Sequence, residues 1–140
     1  MTRGLSFLGC PPKEAVKFLQ IWVIPNKMNV APRYQQVALN ELMQPNQFNQ
    51  ILSPNPEDSG VWIHQNAWFN LGRFDKPTTQ TYQLHDTNNG VYVFVISGTV
   101  IINGNTLETR DGLEISETQS FTLDIAENSQ VLLMEVPLHI

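Results

Sequence analysis

The chain has 140 residues, one cysteine, 15% charged side chains and a formal net charge of −5. That length suits one domain, which can bury roughly 70% of its unfolded surface without disulfide or metal staples. The acidic balance, with no Lys/Arg cluster, argues against a nucleic-acid or anionic-membrane surface. The lone Cys10 gives no disulfide framework and fits a reducing, cytoplasmic setting.

The start of the chain reads as a loose lead-in, with Gly4, Gly9, Pro11 and Pro12. Its apolar run at 5–8 falls short of the minimum of about seven residues for a secretory signal, and no run reaches the length of a membrane span. Residues 16–24 form a strong predicted strand, ended by Pro25 and Asn26. Residues 25–45 hold three prolines and no period, which predicts a long connection. Residues 47–52 fit either one helical turn or a short strand. After a Pro-, Asn- and Ser-rich loop at 53–60, residues 61–74 predict two strand segments with an irregularity near Gln65 and Asn66. A Thr- and Tyr-rich strand follows at 78–84, then a turn at 86–90.

The stretch at 91–107 is the densest strand signal. Val91, Val93 and Val95 point one way and Tyr92, Phe94 and Ile96 the other, so both faces are apolar. An antiparallel strand with one wet face should alternate apolar and polar. One face therefore belongs to the domain core, and the other to a second sheet, domain or chain. Ser97-Gly98 and Asn103-Gly104 read as hairpin turns joining consecutive strands at 91–96, 99–102 and 106–107. Three more strands are predicted at 113–115, 120–125 and 130–136, the last stopped by Pro137. Short strands with turns every 8–12 residues, and no amphipathic helix of normal length, predict an all-β jelly-roll barrel over about residues 47–137. Phe18 to Pro25 resembles Val131 to Pro137, two apolar strands closed by proline, and the pair is a short match that could also arise by chance.

Three stretches together resemble the pirin family of the cupin superfamily. They are Phe18 to Asn26 with Pro32, Arg33, Tyr34 and Gln35; Leu52 to Pro54 through Val61, Trp62, Ile63, His64, Gln65, Asn66 and Ala67; and Val100 to Gly104 with Asp111, Gly112, Leu113 and Val131 to Pro137. The likeness covers residues 16–137 and is closest to bacterial pirins described as quercetin 2,3-dioxygenases. It implies a double-stranded β-helix of the cupin type. Pirins have two such barrels, and the first binds one metal, usually iron or another divalent ion, through three His and a Glu. Three imidazoles and a carboxylate hold a redox metal with positions open for substrate and dioxygen. The resemblance therefore implies a second half, residues 46–140, preceded by a 1–45 lead-in, strand and linker, and separated from its catalytic partner.

A cupin metal motif laid on Gly98 puts its Glu at Val91. Its two His fall at His85 and Thr87, or at Leu84 and Asp86, and its last His at Thr122 or Leu123. No histidine occurs between His85 and His139. The expectation is no catalytic residue, no metal site and no cofactor. His64 reads as a hydrogen-bonded structural residue in a strand and His85 as a solvated turn residue; together they are the candidate residual polar site. Asp111 reads as a turn residue, Cys10 has no neighbouring base, and Trp22, Trp62 and Trp68 read as core or interface fillers.

Two functions stay open. One is a non-catalytic, metal-free structural or interaction half. The other is part of a metal-dependent quercetin dioxygenase-like oxidoreductase. A small ligand in the barrel lumen is a third, open reading. The strand at 16–24 carries Phe18, Leu19, Ile21, Trp22, Val23 and Ile24, too much apolar surface to leave bare. It is the expected interface, either in a homodimer by strand exchange or against a first cupin domain.

Overall fold

The β-branched and aromatic runs become strands, and the Asn, Asp and Gly pairs between them become turns, in the computed structural model. The structure describes residues 3–4 and 15–139, with side chains from residue 15 onward; Cys10 lies outside the described residues. The strands are β1 (Arg3–Gly4), β2 (Trp22–Val23), β3 (Phe48–Ser53), β4 (Val61–Trp62), β5 (Trp68–Phe74) and β6 (Thr78–Gln83). They continue as β7 (Asn89–Ser97), β8 (Val100–Ile102), β9 (Asn105–Leu107), β10 (Gly112–Ile115), β11 (Ser120–Ile125) and β12 (Ser129–Pro137). A single 3₁₀ turn at Leu39–Glu41 is the helix among the described residues. Residues 47–52 thus resolve as strand, and His64 lies in a bend after β4 rather than in a strand.

Two sheets face each other as a jelly-roll barrel. The larger runs β10-β7-β12-β5-β3-β4 and the smaller β6-β11-β8-β9. Period-two alternation aims Val91, Val93 and Val95 of β7 and Val131 and Leu133 of β12 inward, against Tyr82, Val100, Ile102, Leu107, Phe121, Leu123 and Ile125 of the smaller sheet. Each such buried side chain is worth about 1.5–3 kcal/mol. These side chains make the barrel interior an apolar core.

The turn at Asn103-Gly104 joins β8 to β9 as expected, with both residues at positive φ (51° and 79°). The Ser97-Gly98 turn does not make a hairpin. Strand β7 pairs with β10 and β12, whereas β8 pairs with β11 and β9, so the chain crosses here from one sheet to the other. Both edges of β7 are already taken, and Gly98, at φ +93°, makes the corner where an added Cβ would collide with Ser129.

The second apolar face of β7 has an unexpected cover. Leu19, Ile21 and Val23, with Leu39 and Leu42, pack on the outer side of the larger sheet around Leu52, Phe69 and Leu132. Phe94 and Ile96 join the same cluster. Within one chain, the inward side of residues 16–24 lies on its own barrel. Only Trp22–Val23 pair as a strand, antiparallel to Arg3–Gly4. The reason is alternation: every second residue is apolar and faces the sheet, so the chain's own barrel buries that side without a partner.

Candidate functional site

The inward row of β12 runs Val131, Leu133, Glu135. The third member is a carboxylate with no exposed surface. It stands opposite Trp68 of β5 and Val91 of β7 at one end of the barrel. An isolated buried charge is prohibitively costly unless it is paired and hydrogen-bonded. Here four donors converge on it. Tyr82 Oη donates to Oε2 at 2.5 Å and His85 Nδ1 lies 2.8 Å from the same oxygen. The His85 backbone N–H donates to Oε1 at 2.7 Å and Asn89 Nδ2 donates to it at 3.0 Å. Both oxygens are saturated. The His85 ring lies flat on Trp68, centroids 4.1 Å apart and planes 5° off parallel, and its side chain is 40% exposed.

The charges follow from this packing. Burial by itself would raise the carboxyl pKa of Glu135, but the bonds from Tyr82, Asn89 and His85 outweigh it and hold the group below its ordinary range. For Tyr82, burial first, then the bond to Glu135 and its charge, push the phenol well above its ordinary value, with a hydrogen bond to Asn70 pulling the other way. The network is thus a charged carboxylate on β12 held by partners from β6, the β6–β7 turn and β7. Its residues are 53 positions apart at the extreme.

His64 and His85 have different partners. His64 sits edge-on to Trp62 at 5.0 Å, and its carbonyl accepts the Asn26 N–H at 2.7 Å. Arg33 covers the Trp62 ring at 3.9 Å. Contrary to expectation, His85 is tied to Glu135 rather than simply solvated. Sequence reasoning missed Glu135 altogether. Its signal is a lone carboxylate on the inward phase of an otherwise apolar strand.

The residues at the cupin metal positions do not fit a metal. Leu84, Val91 and Leu123 are packed in the barrel core. Thr122 instead bonds Thr81 at 3.1 Å, and Asp86 caps its own turn through the Asn88 N–H at 2.8 Å. Among the described residues, no group of three or more His, Cys, Asp or Glu side chains converges. Asp111 is a turn residue, accepting the Glu108 N–H at 2.9 Å. Outside the barrel, a groove of about 510 Å³ is lined by Leu42, Phe48, Asn49 and Asp58 among others. Asp58 there already accepts bonds from Gln50 and Asn55. Among the described residues, no helix is long and apolar enough to cross a membrane.

Two facing sheets closed over an apolar interior, with strands of one jelly roll, define a barrel of the cupin type. Comparison with known proteins narrows the class. Residues 50–136 match the family model described as the quercetinase C-terminal cupin domain. The chain is 30% identical over 124 residues to quercetin 2,3-dioxygenase of Escherichia coli K12, covering 89% of this chain and 52% of that protein. It superposes on the crystal structure of YhhW from Escherichia coli with a TM-score of 0.76 at 29% identity, covering 86% of this chain and 50% of that one. A second structure, the bacterial pirin YhhW in complex with nickel(II), gives 0.75 at 29% identity, covering 84% and 49%. The chain belongs to the quercetinase C-terminal cupin family of pirins. It spans about half the length of the relatives it matches.

Proposed function

We propose that this chain is the non-catalytic, metal-free C-terminal cupin of a quercetinase-like pirin, acting in the cytoplasm as a structural and interaction half. The observation that carries this reading is the identity of the side chains at the metal positions. Leu84, Val91 and Leu123 offer no lone pair, and they are wedged in a filled core. The polar network at the barrel end supports it further. Glu135 has no vacant acceptor site, so it serves to anchor His85, Tyr82 and Asn89 and not to hold a ligand. The partner class on this reading is protein, in the first instance a metal-bearing cupin domain like the one the longer relatives have room for.

The second reading keeps the chain within a metal-dependent quercetin dioxygenase-like oxidoreductase, with the chemistry in a first cupin domain outside this sequence. The names and lengths of the relatives favour it. One experiment tests the non-catalytic reading for this chain. The purified chain, grown with iron, copper and nickel supplied, is measured for bound metal and for oxygen-dependent loss of quercetin. We expect substoichiometric metal and no turnover. One metal per chain with turnover would overturn the non-catalytic reading.

A further inference from the structure

The stretch that covers the barrel has a second, outward face that the fold leaves bare. Val16, Phe18, Trp22 and Ile24 alternate with the inward Leu19, Ile21 and Val23, and Phe18, Trp22 and Ile24 are 62%, 62% and 67% exposed. Together these side chains make an apolar ridge, interrupted by the exposed Gln20 between Phe18 and Trp22, of the kind that marks an interaction surface. Exposed Lys17 and Lys27 lie within and beside this ridge.

Charge is divided sharply along the chain. Residues 1–34 hold five Lys/Arg against one Glu, a balance of +4. Residues 35–140 hold three against twelve Asp/Glu, a balance of −9. Exposed Lys17 and Lys27 make the ridge basic, whereas the sequence from residue 35 onward, which holds the barrel, is acidic. Ridge against ridge would set Lys17 and Lys27 of two copies facing each other, which is unfavourable.

The barrel has a receiving strip. On the outer face of the larger sheet, β7 presents Gly90, Tyr92, Phe94 and Ile96. The ridge segment covers the part of that face around Leu52, Phe69 and Leu132. At the other side, Leu138 lies over Gly90, and the Tyr92 ring lies over Gly112 of edge strand β10. Tyr92 and Leu138 stay 45% and 41% exposed. Glu114, exposed, is the cross-strand partner of Tyr92. An acidic, apolar strip thus sits on the same face as the basic, apolar ridge.

We infer that two copies of this chain pair face to face, the ridge of each seated on the β7–β10 strip of the other. A two-fold axis makes the contact reciprocal, so each copy contributes both halves and the pair closes without an open end. This arrangement differs from exchange, because Leu19, Ile21 and Val23 stay on their own barrel.

The test is sedimentation velocity of the full chain across micromolar concentrations, with Trp22→Ser on the ridge and Tyr92→Ser on the strip. Both side chains are exposed, and far-UV circular dichroism with thermal melting verifies that each variant is folded. The expected result is a wild-type dimer, with the dimer Kd raised about tenfold or more by either substitution alone. Tyr92→Ser without effect while Trp22→Ser dissociates the pair would overturn the reciprocal contact. A monomeric wild type would overturn the second copy as occupant. A monomer that binds a separately made metal-bearing cupin half through Trp22 would do so too, while leaving the proposed function standing.

Discussion

Replacing Glu135 with Ala is the most informative single change in this fold. It removes the acceptor for four hydrogen bonds at once, two of them from Tyr82 and Asn89, which are themselves buried. An orphaned buried donor costs about 1–3 kcal/mol, and removing one member of a buried charged network costs about 3–5 kcal/mol. These figures describe overlapping losses and do not add, so the expected destabilisation is about 3–5 kcal/mol. Against a total of about 5–15 kcal/mol for a domain, that is about a fifth or more. Urea unfolding followed by circular dichroism at neutral pH measures it. Tyr82→Phe leaves three of the four donors to Glu135 in place, although it also frees the Asn70 amide, and should cost less, about 1–2 kcal/mol. The double variant should cost at least about 1 kcal/mol less than the two singles together, because Tyr82 is no longer left unpaired. A loss under about 1 kcal/mol for Glu135→Ala, with an unchanged urea slope, would refute the view that this network holds the barrel end.

The same network sets a pH dependence at both limits. Glu135 titrates below its ordinary value near 4.5 when folded, so its contribution is complete above that pH and is lost as the pH falls beneath it; Glu135→Gln should flatten the acid limb of a stability profile. Tyr82 titrates above its ordinary value of 10.0 when folded, so its contribution is complete below that pH and fades as the pH rises past it, a limb that Tyr82→Phe should remove. Gly98→Ala should destabilise the fold by roughly 2–4 kcal/mol, since its φ of +93° strains any side chain and the new Cβ would meet Ser129; a thermal melt within a degree or two of wild type would show that the corner is not strained.

The sequence by itself determined the strands and their class. Runs such as Val91 to Ile96 and Val131 to Val136 have no conformation that suits them better than a pleated, buried one, and their Asn- and Gly-rich borders end them locally. It also gave Leu84, Val91 and Leu123 side chains without a lone pair. The double apolar face of 91–96 announced that two covers exist. Only the tertiary structure decided what they are. Which sheet a strand joins depends on edges supplied by residues far along the chain, so Ser97-Gly98, locally a good hairpin turn, became a crossing once β10 and β12 had occupied both sides of β7. The inward side of 16–24 found its cover on the same chain's barrel for the same reason. Glu135 was illegible as a partner of His85 because the two meet across 50 positions, where burial and not local propensity sets the pairing.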